Sequence, residues 1–350
     1  MNKSQERYQN MLSLFRTLRL EQVLTQAELK ERLQLQASTV SYLVNDLRKE
    51  NLIKNSEKAV ITNRVGKPGQ YLEIDNEYTY FLGLYLEETF IDAHVIGIAD
   101  QEIHYQRIPV GDCPASILTE KVIGIITHFT LMYEKIQGVG IAVKSVVDCE
   151  GNLSSFKRTV MDQQVPKIWK VDGFSKTIRN SFPNLSVVVE NDANCAAVYC
   201  QTAFKTACAT SIVFIINEKP FGIGCGIMID GKLFKGTNGS AGEIFFSDRS
   251  IQTLVEKKTK GQDPIQLMKI LKESILKAVY LFDPQQVYLT GGLFDDMAEA
   301  TQREIKTLFE STPYLFEVIA QQHVSYPAKG AVLLVADACF ERILANMDRR

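Results

Sequence analysis

Metal-binding and disulfide patterns are what this 350-residue sequence most clearly lacks. Its seven cysteines (Cys113, Cys149, Cys195, Cys200, Cys208, Cys225 and Cys339) are scattered, odd in number and never spaced C-x-x-C. That excludes a disulfide scaffold and a zinc-ribbon pattern, and it leaves reduced, mostly buried thiols as the expectation. The four histidines, His94, His104, His128 and His323, are isolated from one another, so structural roles are expected; no metal and no cofactor is expected. No apolar run approaches the roughly 18 to 20 residues that a membrane span needs, and the start, MNKSQERYQN, lacks the apolar centre of a signal peptide. A cytoplasmic protein without a membrane partner is the expectation. What is present is ordinary for a globular chain: 45% hydrophobic and 23% charged residues exclude disordered and fibrous classes. The length implies two or three packed units.

Charge is divided unevenly. Residues 1–75 carry 12 Lys+Arg against 9 Asp+Glu, and the remainder 27 against 32, which together give the net charge of −2. A mildly basic head on an acidic body is compatible with DNA binding but does not establish it.

The head has a pattern of its own. Between Gln5 and Leu20, the apolar residues Tyr8, Met11, Leu12, Phe15 and Leu18 recur at helical spacing. Thr25 with Glu28 forms a capping-box pattern for a second helix, whose inward residues are Leu29 and Leu33. Ser38 is expected to cap a third helix that turns Val40, Leu43, Val44 and Leu47 inward. Its opposite face offers Ser38, Thr39, Ser41, Tyr42, Asn45, Arg48 and Lys49, side chains suited to base edges and phosphates in a major groove. An ordinary solvated face has the same look. The following segment decides for DNA: Ala59–Thr62 and Tyr71–Ile74 read as strands around a glycine-containing tip bearing Arg64 and Lys67, a basic wing. A winged head that docks on protein is the alternative.

The body alternates strands and helices. Strand patterns occur at Phe81–Leu86, Ile91–Ile98, Gly138–Val143 and Leu185–Glu190, with an amphipathic helix at Ser116–Tyr133. A second set comprises Ser211–Ile216, Gly222–Met228 and Gln286–Leu289. Two similar mixed sheets and a cleft between lobes are implied. The Gly222-x-Gly224-x-Gly226 stretch taken alone reads equally well as a hairpin turn. Asn191-Asp192 at a strand end taken alone reads as an Asx turn.

Taken in order, Gly138–Asp148 with Gly151, Glu190–Asn194, Gly222–Gly231, Gly236–Glu243, Gly291-Gly292 and Gly330-Ala331 resemble the ROK family of repressors, open reading frames and sugar kinases. The resemblance covers nearly the whole body, and the winged head resembles the family's repressor branch. It implies an α/β chain: an N-terminal winged helix-turn-helix (1–76) followed by a duplicated ribonuclease-H-like, actin-type ATPase fold. The first lobe is expected at 77–197, completed by a C-terminal helix at about 330–350, and the second lobe at 198–329. It also implies that Asn191, Asp192 and Glu243 bind sugar hydroxyls, with Asp192 as general base in the kinases.

The sequence departs from the kinases at their phosphate sites. Their Asp-x-Gly-Gly-Thr loop reads Tyr85-Leu86-Glu87-Glu88-Thr89 here, which removes a carboxylate and sets two anions where phosphates would lie. Their Gly-Thr-Gly loop aligns with Pro220-Phe221-Gly222, the cysteine-rich zinc stretch is missing, and the histidine position falls in Ile244-Phe245-Phe246. The usual Pro-Gly beside the sugar reads Lys144-Ser145, which makes these two further candidates for the effector site. The resulting expectation is a non-enzymatic, dimeric or dimer-of-dimers repressor of carbohydrate genes. Its partners would be operator DNA and a sugar or sugar phosphate, with Lys144 favouring an anion. Control by a protein partner, and an ATP-dependent sugar kinase, are the alternatives.

Overall fold

The computed structural model describes residues 3–57, 70–111, 113–154, 170–204, 210–218, 221–243, 263–320 and 325–347. Helix α1 (Lys3–Glu21) turns Met11, Leu12, Phe15 and Leu18 into a buried core, as its apolar spacing requires. Strand β1 (Leu24–Thr25) leads into α2 (Gln26–Leu33), where the capping box forms. Glu28 donates its N–H to the Thr25 hydroxyl at 3.2 Å, and Thr25 donates its own N–H to the Glu28 carboxylate at 2.9 Å. Helix α3 (Ala37–Lys49) buries Val40, Leu43, Val44 and Leu47. It is not capped by Ser38: Gln36 holds the cap position without a side-chain hydrogen bond, and Ser38 lies within the first turn. Strand β2 (Ile53–Asn55) pairs antiparallel with β3 (Tyr71–Ile74), which also pairs with β1. The expected strand at 59–62 and the tip residues Arg64 and Lys67 lie outside the described residues.

Asp46, buried on α3, accepts a hydrogen bond from Arg7 of α1 at 2.9 Å. Removing the acceptor leaves a half-buried guanidinium without it, so Asp46→Ala should cost about 2 kcal/mol locally. Hydrogen exchange at α3 amides should then accelerate at least tenfold; an unchanged rate would show that the pair contributes nothing.

The body repeats one topology. The first sheet runs β10-β7-β4-β5-β6, from β4 (Tyr80–Leu86), β5 (Phe90–Gly97), β6 (Glu102–Pro109), β7 (Ile136–Val143) and β10 (Ser186–Asn191). Between these lie α4 (Ala115–Met132), the short β8 (Val146–Val147) and β9 (Leu153–Ser154), and α5 (Phe174–Ser181); α6 (Asp192–Ala203) follows β10. The second sheet runs β13-β12-β11-β14-β15, from β11 (Ser211–Glu218), β12 (Phe221–Ile229), β13 (Lys232–Leu233), β14 (Gln286–Thr290) and β15 (Leu315–Val318), with α7 (Pro264–Phe282) and α8 (Glu299–Thr307) between them. In each sheet the first three strands pair antiparallel and the next two add in parallel. The chain closes with α9 (Tyr326–Met347).

The Gly222–Gly226 stretch lies inside β12, as its place among the strand patterns implied and not as the hairpin turn it suggests alone, and a side chain at Gly226 would overlap the Ala193 carbonyl of α6. Two features differ from the sequence expectations. Strand β6 has no expected counterpart; most of it is exposed or half-buried, and it carries no strong apolar alternation. Among the described residues one helix, α4, is long and apolar enough to cross a membrane by length and composition, which corrects the absence inferred from apolar runs alone. Here one of its faces packs on the first sheet through Leu118, Val122, Ile125, Ile126 and Phe129. Such a stripe is that of a sheet-covering helix.

Helix α9 joins these parts. Ala328 and Ala331 lie so close to Gly83 of β4 and Gly140 of β7 that a Cβ at either glycine would meet helix backbone. On its other side α9 shares one core with the head, where Phe15 stacks on Phe340 with ring centroids 3.6 Å apart. Arg16 bonds Asp337 at 2.8 Å, and Arg19 forks onto Asp100. Residue 197, the expected lobe boundary, lies inside α6, which packs against strands of both sheets.

Candidate functional site

Strand β10 is parallel to β7, and its C-terminal end carries Asn191 to the start of α6, the position where open α/β sheets present ligands. Asn191 caps that helix: its side-chain oxygen accepts from the N–H groups of Ala193 at 2.9 Å and Asn194 at 3.2 Å. Its amide nitrogen donates to the Ser145 carbonyl at 3.3 Å. The Asx reading of this residue therefore holds: the side chain caps α6 at the strand end. Ser145 itself is buried.

Asp192 is 8% exposed. It accepts the Ala193 N–H at 2.9 Å, and the Tyr85 hydroxyl lies 3.4 Å from its other oxygen. Burial pushes its pKa up to about 7; the charges of Glu87 and Glu243 push the same way, while Lys144 and the Ala193 N–H oppose. Burial likewise holds the Tyr85 phenol well above its usual range, so it remains a hydrogen-bond donor. Lys144 does not stand open to an anion. Its ammonium lies 2.5 Å from Glu87 and 6.0 Å from the Tyr85 ring centroid. That corrects its expected preference for an anionic ligand, since its charge is already matched. Glu243 is exposed and near enough for its charge to raise the pKa of Asp192.

The structure thus gathers Lys144, Ser145, Asn191, Asp192 and Glu243, and adds three residues that the sequence did not single out as ligands. Tyr85 and Glu87, at and just after the end of β4, meet Asp192 and Lys144, and Glu190 forms a buried base: it accepts from the Asn191 N–H at 2.9 Å and the Asn194 amide at 3.0 Å. Its second oxygen meets Lys235, from the loop after β13, at 3.0 Å, an ion pair that links the two halves of the body. Only the adjacency of Lys235 to the Gly236-Thr237-Asn238-Gly239 motif signalled it in the sequence. A phosphate entering beside Tyr85 would find Lys144 already paired with Glu87 and would have to break that ion pair to gain a cation. Residues 219–220 and 244–262 lie outside the described residues, Pro220 and Ile244-Phe245-Phe246 among them.

The candidate nucleic-acid face is the outer side of α3. Ser38, Tyr42, Asn45 and Lys49 are exposed, and Thr39, Ser41 and Arg48 are half-buried. Tyr42 is 55% exposed with Arg7 5.7 Å from its ring centroid. Arg48 hydrogen-bonds Asn55 of β2, and Lys49 lies 3.5 Å from Asp46. Arg48 is thereby braced across the turn to β2 instead of extending freely.

A duplicated mixed-sheet body with a buried carboxylate at the interlobe mouth defines an α/β protein of the actin and hexokinase-like class. Residues 82–245 match the model of the ROK family. The xylose repressor of Staphylococcus xylosus is 25% identical over 236 residues, covering 63% of this chain and 55% of that protein. The xylose repressor of Lactiplantibacillus pentosus is 25% identical over 267 residues, covering 75% of this chain and 64% of that protein. The matched stretch therefore spans less than two thirds of either repressor. Among solved structures, a ROK family transcriptional regulator, homolog of the E. coli MLC protein, superposes with a TM-score of 0.67 at 14% identity, covering 96% of this chain and 99% of that one. A ROK family glucokinase from Streptomyces griseus, solved with glucose and AMPPNP, superposes with a TM-score of 0.56 at 18% identity, covering 73% and 99%. At these identities the structures establish the shared fold alone.

Proposed function

We propose that the protein is a cytoplasmic, dimeric transcription regulator, a repressor of carbohydrate genes, which binds DNA through a winged helix-turn-helix in residues 1–76. The supporting observation is the outer face of α3, polar along its length, on a head whose core is continuous with the body. An effector between the lobes would act through α9, which touches α1, α6 and the first sheet. The effector is an uncharged sugar, because Lys144 is already paired with Glu87 and the cleft otherwise presents acceptors and hydroxyls. The protein does not transfer phosphate: Tyr85 and Glu87 stand where nucleotide phosphates would have to approach. The similarity to repressors named for xylose supports both the regulatory reading and the sugar class.

Fluorescence anisotropy on DNA upstream of the protein's own gene, at fixed salt, tests the head. Asn45→Ala should weaken specific binding about tenfold while leaving nonspecific binding intact, since a lost base contact is worth ~1 to 3 kcal/mol. Equal affinity of wild type and variant for specific DNA would remove α3 as the reading element. A second reading, control by a protein partner, draws on the Tyr85 contact and the Lys144–Glu87 pair as a closed sugar site; it predicts that no sugar alters DNA affinity.

A further inference from the structure

Away from the cleft, α1, α6 and α9 enclose a half-open cavity of about 210 Å³ at the junction of head and body. Its polar wall is built from Arg19 and Gln22 of the head, Asp100 from the turn after β5, Tyr199 and Thr202 of α6, and Lys329 of α9. Ile96 and Val332 supply an aliphatic side. The space equals the share of on the order of seven liquid waters, which suits a metabolite of about ten heavy atoms and is smaller than usual drug-sized pockets.

The charges of this wall are internally matched. Arg19 donates through Nε to both Asp100 oxygens at 3.0 Å. Lys329 lies 3.2 Å from an oxygen of Glu102 that also faces His94 Nδ1 at 2.9 Å. Burial pushes the His94 pKa down, favouring the neutral ring. A charged occupant would have to break one of these pairs inside a confined space. A neutral one need not: an ammonium keeps further N–H donors after one bond, a carboxylate keeps lone pairs, and the Thr202 hydroxyl, which donates to the Val198 carbonyl at 3.0 Å, still accepts. Alternating donors and acceptors beside an aliphatic surface match a small molecule with hydroxyls on a carbon chain.

We propose that this junction cavity is a second ligand site, separate from the interlobe cleft, and that it takes a small uncharged polyol of about five carbons. An occupant bonded to α1, α6 and α9 together ties the head to both lobes, so it favours whichever relative placement of head and body closes the cavity. The site does not depend on the cleft's being a sugar site.

Isothermal titration of the full chain with xylitol as probe tests it. Saturable binding is expected for wild type and equally for Asp192→Asn. Thr202→Phe, which fills the cavity, and Ala203→Leu, which narrows its rim from an exposed position, should each weaken binding at least about tenfold with unchanged melting temperature. The site is refuted by absent binding in wild type, by loss in Asp192→Asn with retention in both cavity variants, or by preference for the charged analogue xylonate over xylitol.

Discussion

Asp192→Asn is expected to stabilise the protein at pH 8 and to flatten the dependence of its stability on pH. Burial pushes the Asp192 pKa up to about 7 from the usual 3.8, so between those values the folded protein holds a proton that the unfolded chain has released. Stability from this group is therefore complete below pH 3.8 and is lost as pH rises through 7. At 1.36 kcal/mol per pKa unit the full span is on the order of 4 kcal/mol. Asparagine has nearly the same shape and no charge to bury. Denaturant titrations at pH 5 and pH 8 should show wild type losing stability over that interval and the variant losing far less. Parallel curves would mean that Asp192 ionises freely, and that the cleft floor is wetter than its burial indicates.

Gly330→Ala is expected to destabilise the body by about 3 kcal/mol, at the upper end for an inserted methyl group, because what it meets is backbone. A Cβ at Gly330 would overlap the carbonyl oxygen of Cys195 on α6, and the same length of α9 is held on its other side by Gly83 and Gly140. Neither helix can yield without moving a sheet or Asp192, which starts α6. A thermal melt should fall by several degrees. A melting temperature equal to that of wild type would show that α6 and α9 are not in backbone contact, and would remove the physical link between cleft and head.

Local signals were legible in the sequence and distant ones were not. Thr25 and Glu28 are three residues apart, and their reciprocal capping follows from that spacing. Asn191-Asp192 at the end of an apolar strand likewise marked the turn into α6, because the strand end and helix start are contiguous in the chain. Ser38 is not the cap although its residue type is favoured there, because packing of Val40 and Leu43 sets the start of α3 two residues earlier. Strand β2 spans Ile53–Asn55, too short for any periodicity, and exists through pairing with β3 more than a dozen residues later. The Tyr85–Asp192 contact joins residues 107 positions apart, and Lys144 meets Glu87 only because β4 and β7 are adjacent in the sheet. The resemblance pointed to an altered phosphate loop; that Tyr85 meets Asp192 and Glu87 meets Lys144 required the fold.

The most direct test of ligand-controlled DNA binding is the affinity of the full chain for DNA upstream of its own gene, at one stated salt concentration, across a panel of neutral sugars and sugar phosphates. A neutral sugar should change specific affinity by fivefold or more, about 1 kcal/mol of coupling, and Asp192→Asn should abolish the response without abolishing DNA binding. Specific binding indifferent to every compound would contradict control through the cleft, and the absence of specific binding would contradict the regulator itself.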